Sequence, residues 1–261
     1  MFDLTGRTAV ITGAGSGLGA AAAETMFKLN ANLALIARTE DNVKKVAESM
    51  DSSLERVNYF ACDVQSEDSL IEVRDKVVEK MGKIDILLTC AAAPAISGNT
   101  EELSLENWRS LVSIDLDGVF LSCKTFGLNM IKNGYGRIVN ITSFHNVATY
   151  PNRAAYNAAK SGVEGLSRAL AVEWGKYGIT VNTVAPGPIR TPRTSWFLSQ
   201  SPDVEDGMLG RTPNVRLGET EDVASLIAFL VSNEAKHING QQIVIDGGWT
   251  KCAWWGKHTE R

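Results

Sequence analysis

Cysteine is scarce in this sequence, and the few cysteines are not spaced for a shared structural role. The 261 residues contain four, Cys62, Cys90, Cys123 and Cys252, which lie far apart and form no Cys-x-x-Cys pair. Disulfide frameworks and thiolate metal sites use closely spaced or regularly spaced cysteines. We therefore expect reduced thiols and no metal site.

Long apolar runs and an excess of positive charge are also missing. No apolar segment approaches the roughly 20 residues that span a membrane. The net charge is −4, whereas a nucleic-acid or anionic-membrane partner requires a basic surface. The first predicted strand already begins at Thr8, which leaves no room for a signal peptide. The sequence thus predicts a cytoplasmic protein with no nucleic-acid or membrane partner.

Short aliphatic runs alternate with longer stretches of helical periodicity along the whole chain. Strands are predicted at residues 8–12, 33–37, 57–62, 84–89, 137–142, 179–184 and 241–245. Helices are predicted at residues 19–29, 41–50, 69–81, 116–131, 155–177 and 222–232. Strands that are apolar throughout and are separated by helices indicate an α/β fold with a doubly wound parallel β-sheet. With no linker or repeat, residues 1–261 are expected to form a single domain.

The longest segment without a periodic pattern is 187–218, which holds four of the seven prolines. Connections of this length in a compact domain are often functional. We expect this segment to be an irregular lid or substrate loop.

A glycine-rich turn follows the first strand and opens the first helix. It reads Thr12-Gly13-Ala14-Gly15-Ser16-Gly17-Leu18-Gly19. Glycines allow a tight turn and a close approach of backbone N–H groups to a pyrophosphate at the helix N-terminus. The order strand, loop, helix therefore predicts a dinucleotide site that includes Gly13, Ser16, Gly17, Leu18 and Gly19.

The residues at the end of the second strand indicate which dinucleotide the site prefers. An NAD site normally has a carboxylate here for the ribose 2′-hydroxyl, but this chain has Ala37 followed by Arg38. A guanidinium suits a 2′-phosphate. The sequence predicts NADP(H), with NAD(H) as the alternative.

Tyr156 and Lys160 lie near the start of the long predicted helix, four residues apart and hence on one face. A nearby ammonium stabilises a phenolate, so Tyr156 is placed to exchange a proton with a carbonyl or alcohol oxygen. Ser143, at the end of the fifth predicted strand, is placed to hydrogen-bond the same oxygen. These residues predict hydride transfer to a small carbonyl substrate or from its alcohol.

Together these motifs resemble the short-chain dehydrogenase/reductases across nearly the whole chain. The matching features are the loop from Thr12 to Gly19, Asp63-Val64, Ser143, Tyr156 with Lys160, the turn 186–191 and Asp246-Gly247-Gly248. The resemblance implies a Rossmann fold and a homotetramer built on the long helices. It places the adenine at Asp63 and Val64, the adenosine beside Ala91, the nicotinamide ribose at Tyr156 and Lys160, and the carboxamide in the turn with Gly187, Ile189 and Thr191.

Two positions depart from the family pattern. Thr89-Cys90-Ala91-Ala92 replaces the usual Asn-Asn-Ala-Gly, and Asp115 stands where the family carries a catalytic asparagine. Both departures are similar to the 2,4-dienoyl-CoA reductase branch, which lacks the tyrosine kept here as Tyr156. Asp115 either forms an ion pair with Lys160 that alters the proton relay, or only preserves the local geometry.

Three functions therefore stay open. The first is a ketone–secondary alcohol oxidoreductase of the 3-oxoacyl-thioester reductase or polyol/sugar dehydrogenase type. The second is a 2,4-dienoyl- or enoyl-CoA reductase that uses Asp115 and Lys160. The third is a non-catalytic dinucleotide-binding sensor. The intact set of Ser143, Tyr156 and Lys160 favours the first.

The C-terminal tail, 249–261, contains three of the six tryptophans. Each tryptophan offers on the order of 150–250 Å² of surface to bury. The expectation is that Trp254 and Trp255 pack either on their own subunit or across a subunit interface near a neighbouring substrate cleft.

Overall fold

A computed structural model describes residues 2–94, 96–199 and 202–253. Within these residues seven parallel strands form one sheet, in the order β3-β2-β1-β4-β5-β6-β7. The strands are β1 (Thr8–Thr12), β2 (Asn32–Ala37), β3 (Val57–Ala61), β4 (Ile86–Thr89), β5 (Gly136–Ile141), β6 (Ile179–Pro186) and β7 (Gln242–Ile245). The predicted doubly wound sheet is confirmed.

Helices cover both faces of the sheet. Their bounds are α1 (Gly17–Lys28), α2 (Glu40–Met50), α3 (Glu67–Met81), α4 (Leu105–Val112), α5 (Gly118–Asn133), α6 (Ala154–Trp174), α7 (Pro192–Ser199), α8 (Pro202–Arg211) and α9 (Thr220–Val231). Successive strand residues point to opposite faces. In β1, Ala9 and Ile11 therefore join the apolar cluster under α1, α2 and α9, while Val10 joins the cluster under α3, α5 and α6.

The expectation of an irregular segment at 187–218 is wrong. Most of this segment forms α7 and α8, whose first residues are Pro192 and Pro202. Proline is favoured in the first turn of a helix, because its fixed φ suits the helix and its missing N–H has no partner there. Two of the four prolines that suggested a loop are thus helix starts.

The helix predicted at 116–131 begins and ends two residues later in the structure, as α5. A separate helix, α4, precedes it, and the Ser104 hydroxyl caps α4 by accepting a hydrogen bond from the Asn107 N–H at 3.1 Å. One π-helical turn, Ser113–Asp117, then joins α4 to α5. This turn places Asp115 in the interior.

No helix in the described ranges is long and apolar enough to cross a membrane. The same residues contain no group of three or more His, Cys, Asp or Glu side chains arranged to hold a metal ion.

Candidate active site

The strand order reverses between β1 and β4, and the glycine-rich loop lies at this point. Such switch points at the carboxyl ends of parallel strands are where doubly wound sheets bind ligands. Gly13 has a φ of +71°, and a Cβ there would lie 2.5 Å from the Ala91 nitrogen. A Cβ on Gly19 would lie 2.4 Å from the Gly13 carbonyl oxygen. Side chains at either glycine would therefore force the loop away from β4 or away from α1.

A cavity of about 430 Å³ opens beside this loop, between the ends of β1, β2, β3 and β4. Of the predicted cofactor residues, nine line it: Gly13, Ser16, Gly17, Leu18, Arg38, Asp63, Val64, Ala91 and Thr191. Backbone N–H groups at the start of α1 remain without helical partners, which favours an anion there. The tight glycine cradle, the cavity and the helix N-terminus together fit a dinucleotide.

Four predicted cofactor residues besides Gly19 lie outside the walls of this cavity. Ile189 is buried and lines a neighbouring cavity of about 400 Å³ below the turn. Gly187 packs against Asp246, where a Cβ would lie 2.5 Å from the Asp246 Cβ. Tyr156 and Lys160 lie on α6, on the β5 side of the switch point.

Arg38 is exposed at the rim of the cavity. Among the described residues its guanidinium has neither a carboxylate partner nor a hydrogen bond, so its charge is available to a ligand. Asp63, at the end of β3, accepts hydrogen bonds from the Gln65 backbone N–H at 3.0 Å and from the Gln65 side chain at 3.2 Å. These contacts hold the Asp63 carboxylate at the cavity wall.

Lys160 is buried, with a relative exposure of 3%. Its ammonium donates a hydrogen bond to the Ile141 carbonyl oxygen at 3.3 Å and lies 3.6 Å from Asp115 Oδ2. The same nitrogen lies 5.7 Å from the centre of the Tyr156 ring. The spacing of four residues on α6 thus brings the phenol and the ammonium together, as the sequence predicts.

Asp115 is even more deeply buried, with a relative exposure of 1%. Its Oδ1 accepts a hydrogen bond of 2.6 Å from the Ala93 backbone N–H, just beyond β4. Its other oxygen faces the Lys160 ammonium. Asp115 therefore ties the cavity wall after β4 to the lysine on α6.

Ser143 follows β5 and is buried beside the start of α6. Its Oγ accepts a hydrogen bond from the His145 backbone N–H at 3.3 Å, which leaves the hydroxyl proton available. The His145 ring lies 5.5 Å from the Tyr156 ring, centre to centre, at an angle of 88°.

Aromatic residues form a connected cluster beside Tyr156. His145 also packs against Phe144 and Tyr150 at 4.4 and 4.5 Å. Trp249 packs against Phe144 at 4.9 Å. Burial, with a smaller effect of the nearby Arg153 charge, lowers the pKa of His145 to about 4. His145 is therefore neutral near pH 7, and its side chain is buried, with a relative exposure of 6%.

Asn146 is a structural residue of the site that sequence reasoning missed. Its side-chain amide donates hydrogen bonds to the Lys160 carbonyl oxygen at 3.0 Å and to Gln242 Oε1 at 3.1 Å. It thereby fixes the first turns of α6 against β7. The second partner lies 96 residues away in sequence, so no local pattern signals this contact.

The arginines of residues 187–218, the segment predicted to be a loop, each contact a different partner. Arg190 pairs with Glu205 at 2.9 Å, and Arg216 pairs with Asp222 at 2.6 Å. Arg193 instead donates a hydrogen bond of 3.0 Å to the Ala93 carbonyl oxygen, which joins α7 to the wall after β4. The Arg211 guanidinium stacks over the Trp249 ring at 4.2 Å. Trp254 and Trp255 lie outside the described residues, so their packing stays a prediction.

A switch-point cavity with a glycine cradle, beside a serine, a tyrosine and a lysine, defines a dinucleotide-dependent oxidoreductase. The family described as enoyl-(acyl carrier protein) reductase matches residues 13–250 of the chain. The chain belongs to this family, within the short-chain dehydrogenase/reductases.

Individual relatives cover nearly the full length. D-threitol dehydrogenase of Mycolicibacterium smegmatis is 35% identical over 95% of this chain and 95% of its own. NAD-dependent glycerol dehydrogenase of Listeria innocua is 34% identical over 95% of this chain and 96% of its own. The crystal structure of a gluconate 5-dehydrogenase from Burkholderia cenocepacia, in complex with NADP and tartrate, superposes with a TM-score of 0.91 at 28% identity. That likeness covers 97% of this chain and 98% of the other.

These relatives are dehydrogenases, which favours alcohol–ketone chemistry over the enoyl- and dienoyl-reductase alternative. The chain is an NAD(P)-dependent oxidoreductase that interconverts a secondary alcohol and a ketone.

Proposed function

We propose that the chain is an NADP(H)-preferring dehydrogenase of polyols or sugar acids in which Tyr156 is the general acid and base. The observation that carries this proposal is the placement of Lys160 Nζ, 5.7 Å from the Tyr156 ring centre and buried beside it. A buried ammonium favours the phenolate form, which is the form that accepts a proton from an alcohol.

When bound, the nicotinamide supplies or accepts the hydride. Tyr156 gives its phenolic proton to the substrate oxygen during reduction and takes it back during oxidation. Ser143 donates a hydrogen bond to the same oxygen, because its hydroxyl accepts from the His145 N–H and keeps its own proton available. Lys160 holds the positive charge that balances the phenolate.

Asp115 has a positioning role in this proposal. Its carboxylate holds the Ala93 N–H and sits 3.6 Å from the ammonium of Lys160. The carboxylate therefore fixes where the lysine charge lies, while Tyr156 exchanges the proton.

The NADP(H) preference rests on Arg38. Its exposed guanidinium lies at the rim of the cavity, next to the end of β2, and has no internal partner among the described residues. A free guanidinium is well suited to a 2′-phosphate as a bidentate, charge-assisted partner. Asp63 and Val64 are assigned to the adenine, and Gly187, Ile189 and Thr191 to the nicotinamide side.

The substrate class rests on the relatives, whose names specify threitol, glycerol and gluconate. These are polyhydroxylated compounds, and the polar groups of the aromatic residues next to Tyr156, namely His145 and Tyr150, suit them.

The proposal includes a cytoplasmic homotetramer. Large apolar side chains stay exposed on α5 and α6, including Leu128 at 54% and Val172 at 85%. A shared helical interface would bury them. The Cys123 thiol is buried and forms no disulfide, which suits a reducing compartment.

A substrate panel with both cofactors tests the proposal. Ketoses and other hydroxy-ketones should be reduced, and polyols and sugar acids oxidised, with a higher kcat/KM for NADP(H) than for NAD(H). Turnover of dienoyl-CoA esters without ketone reduction would contradict the proposal and favour a 2,4-dienoyl- or enoyl-CoA reductase. Tight dinucleotide binding with no turnover of either class would contradict it in favour of a sensor.

A further inference from the structure

His145 is a buried titratable group that the proton transfer at Tyr156 does not use. It is the second residue after Ser143, and its ring stands edge-on to Tyr156, 5.5 Å away. It therefore lies beside the tyrosine that is proposed to exchange the proton.

The hydrogen bonds around His145 fix which ring nitrogen carries the proton. The Thr149 hydroxyl donates its single proton to the Tyr150 carbonyl oxygen at 3.2 Å. The same hydroxyl oxygen lies 3.2 Å from His145 Nδ1. A hydroxyl has one proton, so the assignment that satisfies both contacts makes Thr149 the acceptor and His145 Nδ1 the donor.

A neutral imidazole protonated at Nδ1 leaves a lone pair on Nε2. The lowered pKa of His145 agrees with a neutral ring. Within the described residues Nε2 has no hydrogen-bond partner. Nε2 is thus an acceptor for which the described residues supply no donor.

We propose that His145 is a specificity-determining residue whose Nε2 accepts a hydrogen bond from a second hydroxyl group of the substrate, next to the reacting carbon. This inference rests on the proposed function and narrows its substrate class. A diol, polyol or hydroxy acid supplies the required O–H donor. A simple ketone or a 3-oxoacyl thioester carries no hydroxyl group on the carbons next to the reacting one.

Two matched alcohols test the inference. Butane-2,3-diol and butan-2-ol present the same secondary alcohol, with and without a neighbouring hydroxyl. The wild-type enzyme should have a kcat/KM for the diol at least about tenfold higher, since loss of one hydrogen bond to the substrate costs roughly this factor. His145→Phe should lower kcat/KM for the diol about tenfold more than it lowers kcat/KM for butan-2-ol.

A conservative variant and a surface control separate recognition from folding. His145→Gln keeps an acceptor near the Nε2 position and should restore part of the diol preference. His237→Phe, at an exposed histidine, should change neither substrate. Cofactor affinity, measured by fluorescence titration, should be the same in all of these proteins.

Thr149 tests the tautomer argument. Thr149→Ser keeps the hydroxyl between His145 Nδ1 and the Tyr150 carbonyl oxygen and should keep the diol preference. Thr149→Val removes the acceptor for His145 Nδ1 and should reduce this preference. Equal losses on both alcohols in His145→Phe, or a wild-type enzyme with no preference for the diol, would overturn the inference while leaving the alcohol chemistry intact. Oxidation of neither alcohol, nor of any alcohol in the wider panel, would overturn the proposed function and this inference with it.

Discussion

The buried pair of Asp115 and Lys160 should be a measurable source of stability. At 3.6 Å and an effective dielectric constant of about 20, the attraction between the two charges is about 4–5 kcal/mol. Removing one partner of a buried pair costs roughly 3–5 kcal/mol, because the other charge is left without compensation. Asp115→Leu also leaves the Ala93 N–H without an acceptor, which adds about 1–3 kcal/mol.

We therefore expect Asp115→Leu to lower the free energy of unfolding by at least about 4 kcal/mol. At about 2–4 °C per kcal/mol for a chain of this size, Tm should fall by at least about 8 °C. Asp115→Asn retains an acceptor for Ala93 and should recover about 1–3 kcal/mol of this loss.

Thermal and urea unfolding of both variants measures these differences. Asp117→Leu is the matched control, since Asp117 lies two residues away and is exposed. It should stay within about 0.5 kcal/mol of the wild-type value. If Asp115→Leu were no less stable than Asp117→Leu, the buried pair would not be holding the site together.

Three further predictions concern the cofactor cradle, the cofactor choice and pH. Gly13→Val places a side chain against the Ala91 backbone at a positive φ, so titration should show lost dinucleotide binding, and wild-type affinity would refute the cradle. Arg38→Ala should weaken NADPH binding about ten- to a hundredfold and leave NADH binding nearly unchanged, whereas a wild-type preference for NADH would contradict the assignment. Burial lowers the folded pKa of His145 from 6.5 to about 4, so only the unfolded state takes up its proton between these pH values. Stability should fall by about 3 kcal/mol as pH drops through that window, and equilibrium unfolding should show a flatter profile for His145→Phe.

The strand pattern of the sheet could be predicted because its strands are buried on both faces. Runs such as β2, with Leu33 to Ile36 all fully buried, leave a continuous apolar signal. The helix ends differ from the prediction by up to three residues, for instance at α6, which begins at Ala154 and ends at Trp174. Helix ends depend on capping contacts that periodicity does not report.

Prolines and the π-helical turn account for the larger errors. Pro192 and Pro202 begin helices, although a cluster of prolines is more typical of a loop. The π-helical turn at Ser113–Asp117 has no recognisable sequence signal. It matters for the site, because it turns the Asp115 carboxylate inward to Ala93 and Lys160.

Parts of the site differ in how far the sequence reveals them. Tyr156 and Lys160 are neighbours on one helix, so their proximity follows from the helical repeat alone. The contacts of Asn146 with Gln242 and of Arg193 with Ala93 join residues about 100 positions apart and depend on the tertiary fold. The contact of His145 Nδ1 with the Thr149 hydroxyl likewise depends on the path of the backbone after Ser143, which no local pattern reports.

The central claim is that Tyr156 exchanges the proton with the substrate oxygen, and Tyr156→Phe tests it most directly. This variant removes the hydroxyl and keeps the ring, so NADPH affinity and Tm should stay close to the wild-type values. The kcat of ketone reduction should fall by about 10²–10⁴, the range for loss of a general acid. Near-normal ketone reduction by Tyr156→Phe, with the cofactor bound, would contradict the account.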